Sequence, residues 1–264
     1  MTRKAKNPVK DWRARIIGAF IAFVIVLAVA LILLPVIGLT VLSVLGVVII
    51  ILLTLAVTIP LIVLVNLVLN PPVRGSGKEM TETRQVSAFD AIHQAGAMRL
   101  TVTVEGDQEV KVRGDDNLFQ HIETSVADST LHVGTHRNLR PRCRIVIDVK
   151  TPTLREMVLA GSGDVTTTGI WGEGFHANIA GSGDMALGGQ VDNVELMIAG
   201  SGDIDAADLK AKSVKVNLTG SGNMTVYASE TANINVAGSG NVDCYGHPSQ
   251  VNKNILGSGC LNMK

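Results

Sequence analysis

The tripeptide Gly-Ser-Gly recurs six times in the C-terminal part of this chain, beginning at Gly161, Gly181, Gly200, Gly220, Gly238 and Gly257. The spacings are 20, 19, 20, 18 and 19 residues. A period of that size predicts a solenoid, in which each coil buries its apolar face only by stacking on the next. Such a fold offers long flat faces and ends, which favour binding and assembly over a single deep pocket.

Alignment on the first glycine gives apolar columns. Two residues before it stand Leu159, Ile179, Ile198, Leu218, Val236 and Ile255. Four before it stand Met157, Ala177, Leu196, Val216 and Ile234, with Lys253 breaking the column in the last copy. Four after it stand Val165, Met185, Ile204, Met224, Val242 and Leu261, and two further on Thr167, Leu187, Ala206, Val226, Cys244 and Met263. Apolar residues two apart mean strands with one buried face. Each repeat therefore reads as strand, glycine corner, strand and a variable return, and the coil length fits a parallel β-helix. Glycine suits the corner because it tolerates positive φ and lets neighbouring coils approach.

The residue after each tripeptide forms a further column: Asp164, Asp184, Asp203, Asn223, Asn241 and Cys260. In register these side chains sit about 4.8 Å apart. Three stacked carboxylates repel unless neutralised, which makes Asp164, Asp184 and Asp203 candidate ligands for calcium or another hard cation. The competing reading is that each Asp or Asn caps its corner by accepting backbone N–H groups, and asparagine in two copies favours it.

Residues 86–150 also read as β. Met98–Val104 alternates, Gly106-Asp107 turns the chain, and Val110–Val112 alternates again, which predicts a hairpin. Asp116 stands where it would N-cap a short helix over Leu118–Ile122, and strands are expected at Thr130–Val133 and Arg144–Val149. The run Phe89–Ile92, Val102–Gly106, Asp116–Leu118, Ile147–Leu154 and Gly161–Asp164 resembles the putative auto-transporter adhesin head GIN domain family over about residues 84–264. The resemblance implies a bacterial envelope-associated β-solenoid without established catalytic residues.

Ile16 to Leu69 is a run of 54 residues without a charge. One bilayer-spanning helix needs about 20 apolar residues, so the run has room for two. Pro35-Val-Ile-Gly38 supplies the break. A first helix Ile16–Leu34 would be about 28 Å long, and a second, Val41–Leu69, about 43 Å, so the second must tilt, kink at Pro60 or end early. The basic tail (Arg3, Lys4, Lys6, Lys10, Arg13, Arg15) and the second flank (Arg74, Lys78, Arg84) place both ends of a hairpin in the cytoplasm. The expected organisation is a basic tail over 1–15, a transmembrane hairpin over 16–69, a linker over 70–85, a β lead-in over 86–150 and the solenoid over 151–264. The fold class is an all-β parallel β-helix carried on an N-terminal transmembrane α-helical hairpin in a bacterial inner membrane. The β-domain is placed in the cytoplasm, with a periplasmic or surface-facing domain as the alternative.

Net charge is zero, so no bulk field draws nucleic acid. Aromatic residues are only 3% of the chain, which counts against base stacking and against sugar-binding platforms. No nucleophile, phosphate-loop or zinc motif occurs. His132 and His136 have a helical metal spacing but lie in a stretch that reads as strand and loop. No cofactor is expected. Cys143, Cys244 and Cys260 are an odd, scattered set, and Cys244 falls on an inward column. The repeat pattern runs to Lys264 with no polar cap after it, so Cys260, Leu261 and Met263 mark an end open to a second copy or another protein. The function expected from the sequence is a non-catalytic, self-associating scaffold or interaction module on membrane lipid. The alternatives are an outward-facing adhesin or glycan-binding module and, behind it, a polysaccharide-processing enzyme.

Overall fold

A computed structural model of the chain describes residues 51–62 and 71–264. The chain divides into two compact units, Met1–Pro71 and Pro72–Lys264. In the first, 51–62 is helical, continuing through Pro60, and exposes Leu52, Leu53 and Val57. Among the described residues no helix is long and apolar enough to cross a membrane. The rest of the hairpin expected over 16–69 lies outside the described residues.

The second unit is built almost entirely of strands. A lead-in supplies β1 (Val73–Arg74), β2 (Glu79–Arg84), β3 (Ala91–Gly96), β4 (Arg99–Val104), β5 (Glu109–Asp115), β6 (Ile122–Ala127), β7 (Thr130–Thr135), β8 (Leu139–Arg140) and β9 (Val146–Thr151). The repeats supply β10 (Glu156–Gly161), β11 (Asp164–Gly181), β12 (Asp184–Gly200), β13 (Ile204–Gly220), β14 (Met224–Gly238), β15 (Val242–Tyr245), β16 (Gln250–Gly257) and β17 (Leu261–Met263). The repeats stack in parallel and in register, corner on corner: Gly161 on Gly181, Gly181 on Gly200, Gly200 on Gly220, Gly220 on Gly238 and Gly238 on Gly257. This is a β-solenoid.

The expected inward columns form the core. Leu159, Ile179, Ile198, Leu218 and Val236 are buried, and so are Met157, Leu196, Val216, Met185, Ile204 and Val226. The return is also strand. β11 to β14 run unbroken from one corner to the next and bend at irregularities, as between Thr167 and Ile170. Ile170, Phe175, Val191, Leu209 and Val214 point inward from it, so the coil has a third apolar side.

The stack begins earlier than the first Gly-Ser-Gly. Gly96 pairs with Gly161, Ile92 with Met157, Leu100 with Val165 and Val102 with Thr167. The corner here is Gly96-Ala97-Met98, and Gln94 takes the place of the inward leucine. Its buried amide Nε2 donates to the Met98 carbonyl at 2.6 Å and closes the turn.

The lead-in caps this end. β7 and β9 stack in parallel below β3 and β4, and β6, β5 and β2 then pair antiparallel. The expected hairpin between residues 98–104 and 110–112 does not form, because β9 lies between β4 and β5. A two-residue turn signal is local, and the in-register parallel partner of β4 outcompetes it by burying Ile147 and Val149. The short helix is a 3-10 turn over Asp116–His121 that buries Leu118 and Phe119 and has no side-chain cap.

Candidate functional site

The solenoid's chemistry lies in outward columns, each residue repeated one coil on. In the column after the corner, four side chains reach to the next coil. Asp184 Oδ1 accepts the Asp203 N–H at 3.1 Å, Asp203 Oδ1 accepts the Asn223 N–H at 2.6 Å, Asn223 Oδ1 accepts the Asn241 N–H at 3.2 Å, and Asn241 Oδ1 accepts the Cys260 N–H at 3.1 Å. At the start of the column Arg99 Nη2 donates to Asp164 Oδ2 at 3.1 Å. The repulsion expected of stacked aspartates is relieved by these donors. The arrangement is a backbone-capping ladder, and among the described residues no cluster of three or more His, Cys, Asp or Glu is placed to hold a metal.

The ladder carries a testable consequence. Asp203→Ala removes the acceptor for two Asn223 donors and is expected to cost about 1 kcal/mol, whereas Asp203→Asn keeps an acceptor and is expected to be close to neutral. Thermal melts of both variants, with and without added calcium, check this. A calcium-dependent rise in wild-type Tm that Asp203→Asn abolishes would instead mark the column as a cation site.

Two further outward columns lie past the corner, the second beyond the irregularities of β11 to β13. One is Thr101, Thr166, Ala186, Asp205, Thr225, Asp243 and Asn262. Arg99, Thr101, Asp164, Thr166, Asp184, Asp203 and Asp205 line a shallow groove along it. The other is Trp171, Gln190, Lys210, Tyr227 and Tyr245, each the register partner of the next. Lys210 stands between buried Leu209 and Ala211, and Tyr227 between buried Val226 and Ala228, so the column faces outward. Trp171 is 60% exposed, and the Lys210 ammonium sits 4.0 Å above the Tyr227 ring.

This column was missed in the sequence because the bends differ in length. Counted from the corner glycine, Trp171 is ten residues on, Gln190 nine, Lys210 ten, and Tyr227 and Tyr245 seven. A signal was nevertheless present: both tyrosines of the chain stand at the same offset.

At the C-terminal coil, β16 pairs with β14 and β17 with β15. Among the described residues neither has a strand on its other side. Leu256 is 66% exposed and Met263 44%, while Leu261 is half-buried and Cys260 exposed. The nearby Lys264 ammonium pairs with Asp243 at 2.5 Å, and this bond, ahead of the Asn262 amide, holds the Asp243 carboxyl below its usual range.

Asp115 is fully buried. His93 and His132 meet edge to face at 5.4 Å in the first coils, and His136 sits apart beside Glu123 at 3.6 Å. Cys244 is buried and its thiol is pushed up by burial. In the cleft at the N-terminal cap, Gln108 Nε2 donates to the Val86 and Ser87 carbonyls, and Lys150 lies 3.9 Å from Glu105.

The sequence pattern of a known family, described as putative auto-transporter adhesin, head GIN domain, matches residues 88–248. Among solved structures, a putative adhesin from Bacteroides fragilis NCTC 9343 is similar at 24% identity with a TM-score of 0.62, covering 73% of this chain and 100% of that one. A putative adhesin from Parabacteroides merdae ATCC 43184 is similar at 18% identity with a TM-score of 0.52, covering 73% and 98%. These two likenesses are likenesses of fold. No curated protein matches the chain.

Proposed function

As this chain belongs to the family described as putative auto-transporter adhesin, head GIN domain, we propose that its β-solenoid is a non-catalytic adhesive module that binds through its outward columns. The observation that carries the reading is the register of the repeats. Pairing of successive coils in register places outward side chains in lines about 4.8 Å apart, which suits an extended partner. Catalysis is disfavoured, because Asp184 and Asp203 are engaged as acceptors for the next coil's N–H groups. General acid–base work needs carboxyl groups free to exchange a proton with a substrate.

An adhesive role requires the domain to face away from the cytoplasm. A phosphatase active only outside the cytoplasm, fused after Lys264, is expected to be active, and a cytoplasm-active fluorescent reporter at the same place to be dark. Beads coated with the purified protein are then expected to retain cells or envelope fragments saturably. Retention no greater than on albumin-coated beads overturns the proposal.

A second reading is self-association through the last coil, favoured by the exposed edge of β16 and by Leu256 and Met263 beside it. Unpaired strand edges add further strands readily. Under this reading Leu256→Lys lowers the oligomeric mass in detergent by light scattering. An unchanged mass, or a monomeric wild type, removes it.

A further inference from the structure

We propose that the column Trp171–Gln190–Lys210–Tyr227–Tyr245 is a binding strip for a linear, neutral glycan chain lying along the solenoid axis. The proposal rests on the adhesive reading and names its ligand class and its site. Aromatic residues are scarce in the chain, which holds two tryptophans and two tyrosines. Three of those four fall in this one line, joined by register pairing from coil to coil. Chance burial does not explain it, since Trp171 is 60% exposed and Tyr245 36%, and neither fills the core.

The chemistry beside the strip selects the ligand. Tyrosine and tryptophan offer an apolar body with a polar tip, which suits the mixed C–H and O–H surface of a pyranose ring. Gln190 provides both donor and acceptor, and Lys210, held over the Tyr227 ring, provides donors in a fixed place. Two residues before Tyr227 and Tyr245, on β14 and β15, stand Thr225 and Asp243, and Asp205 and Thr166 continue that column down the stack. Hydroxyls and carboxylates there accept the O–H donors that a sugar chain displays.

Charge decides against polyanions. The strip holds one cation, Lys210, and the Lys264 ammonium near Tyr245 is paired with Asp243; the other four positions carry no Lys or Arg, so the strip lacks the row of positive charge that a polyanion needs. Nucleic acid, uronate polymers and anionic lipid headgroups call for such a row, and neutral hydroxyl chains do not. Geometry agrees. The strip spans four coil steps, about 19 Å at about 4.8 Å per step, and one step is comparable to the length of a pyranose in an extended chain.

The test uses the full chain in detergent with Trp12→Phe, so that tryptophan fluorescence reports on Trp171 alone. The probes are cellohexaose, chitohexaose, a uronate hexasaccharide and a proline-rich peptide, each titrated by fluorescence and calorimetry. Saturable binding of a neutral hexasaccharide, with the uronate oligomer bound weakly or not at all, is expected. Trp171→Ala is expected to weaken it about tenfold and Trp171→Phe to retain most of it. Because Trp171 is exposed, both variants keep the wild-type melting temperature. Tyr245→Ala provides a second, independent weakening. No neutral glycan bound, unchanged affinity in Trp171→Ala, or preference for the peptide overturns the inference. If the coated beads still retain envelope material in that case, only the glycan strip falls. If they do not, the adhesive reading falls with it.

Discussion

Gly202→Ala is expected to lower stability by about 3 kcal/mol or more, a drop in Tm of about 6–12 °C for a domain of this size. Gly202 is not among the glycines with a left-handed φ, so the cost is one of space. A Cβ there would overlap the Gly183 carbonyl oxygen of the preceding coil, and that oxygen is backbone and cannot swing away. Each second glycine of the tripeptides meets the coil below in this way: Gly222 stacks on Gly202 and Gly240 on Gly222. The first glycines add a conformational demand. Gly200 has φ +147°, and its Cβ would overlap the Gly181 carbonyl, while Ser201 N–H donates to that same carbonyl at 2.9 Å. Two controls separate the causes. Gly172 has φ +132° with nothing within 4 Å of a Cβ, so Gly172→Ala measures conformational strain alone, about 1–2 kcal/mol. Gly188 meets only ordinary contacts, the nearest at 3.7 Å, and Gly188→Ala is expected to be close to neutral. Thermal or denaturant unfolding of the three variants checks the order. If Gly202→Ala melted with Gly188→Ala, close coil approach would not be the reason for the second glycine.

Asp115→Ala is expected to destabilise the N-terminal cap by about 3 kcal/mol, and Asp115→Asn by somewhat less. The carboxylate is fully buried at the end of β5. It accepts three backbone N–H groups, from Gly77 at 2.6 Å, Arg142 at 2.9 Å and Cys143 at 3.0 Å. It thereby ties the segment after β1 to the segment after β8. Removing it leaves three backbone donors without their shared acceptor. Burial raises the Asp115 carboxyl pKa, but the three N–H groups outweigh burial and hold it below its ordinary value near 3.8. A carboxyl group whose folded pKa lies below its unfolded one stabilises fully above the unfolded value and loses that contribution as pH falls through the folded one. Acid melts of the wild type should therefore steepen below about pH 4. Asp115→Asn should be less stable at neutral pH and flatter in acid. Hydrogen exchange at Gly77, Arg142 and Cys143 locates the effect. If those amides stayed as protected in Asp115→Ala as in the wild type, Asp115 would not be the latch.

The capping role of Asp115 was not legible beforehand. Asp116, its neighbour, stands at the sequence position of a helix cap, but the structure gives Asp116 the Ser76 hydroxyl at 2.6 Å and forms a 3-10 turn instead. The three donors to Asp115 come from residues 27 to 38 positions away. Local cap rules consider only the next turn, so a carboxylate held from a distance leaves no local trace. The first coil was hidden for a similar reason. Ile92, Leu100 and Val102 obey the inward offsets around Gly96, but Gln94 and the Ala97-Met98 corner break the tripeptide pattern.

The repeat determined the coil by itself. A glycine at each corner and apolar residues at fixed offsets leave parallel stacking as the arrangement that buries every inward side chain, so the corners, the core columns and the Asx column were legible residue by residue. Tertiary structure alone decided how the bends are spent. β11 and β12 differ in length between the corner and the return, and bulges absorb the difference to keep backbone hydrogen bonds in register. That register sets Trp171 beside Gln190 and Tyr227 beside Lys210, although no constant count from the corner links them. Pairing across coils rather than position along the chain determines which side chains become neighbours, because ladder hydrogen bonds and a shared core bind strand to strand wherever the intervening loop happens to fold.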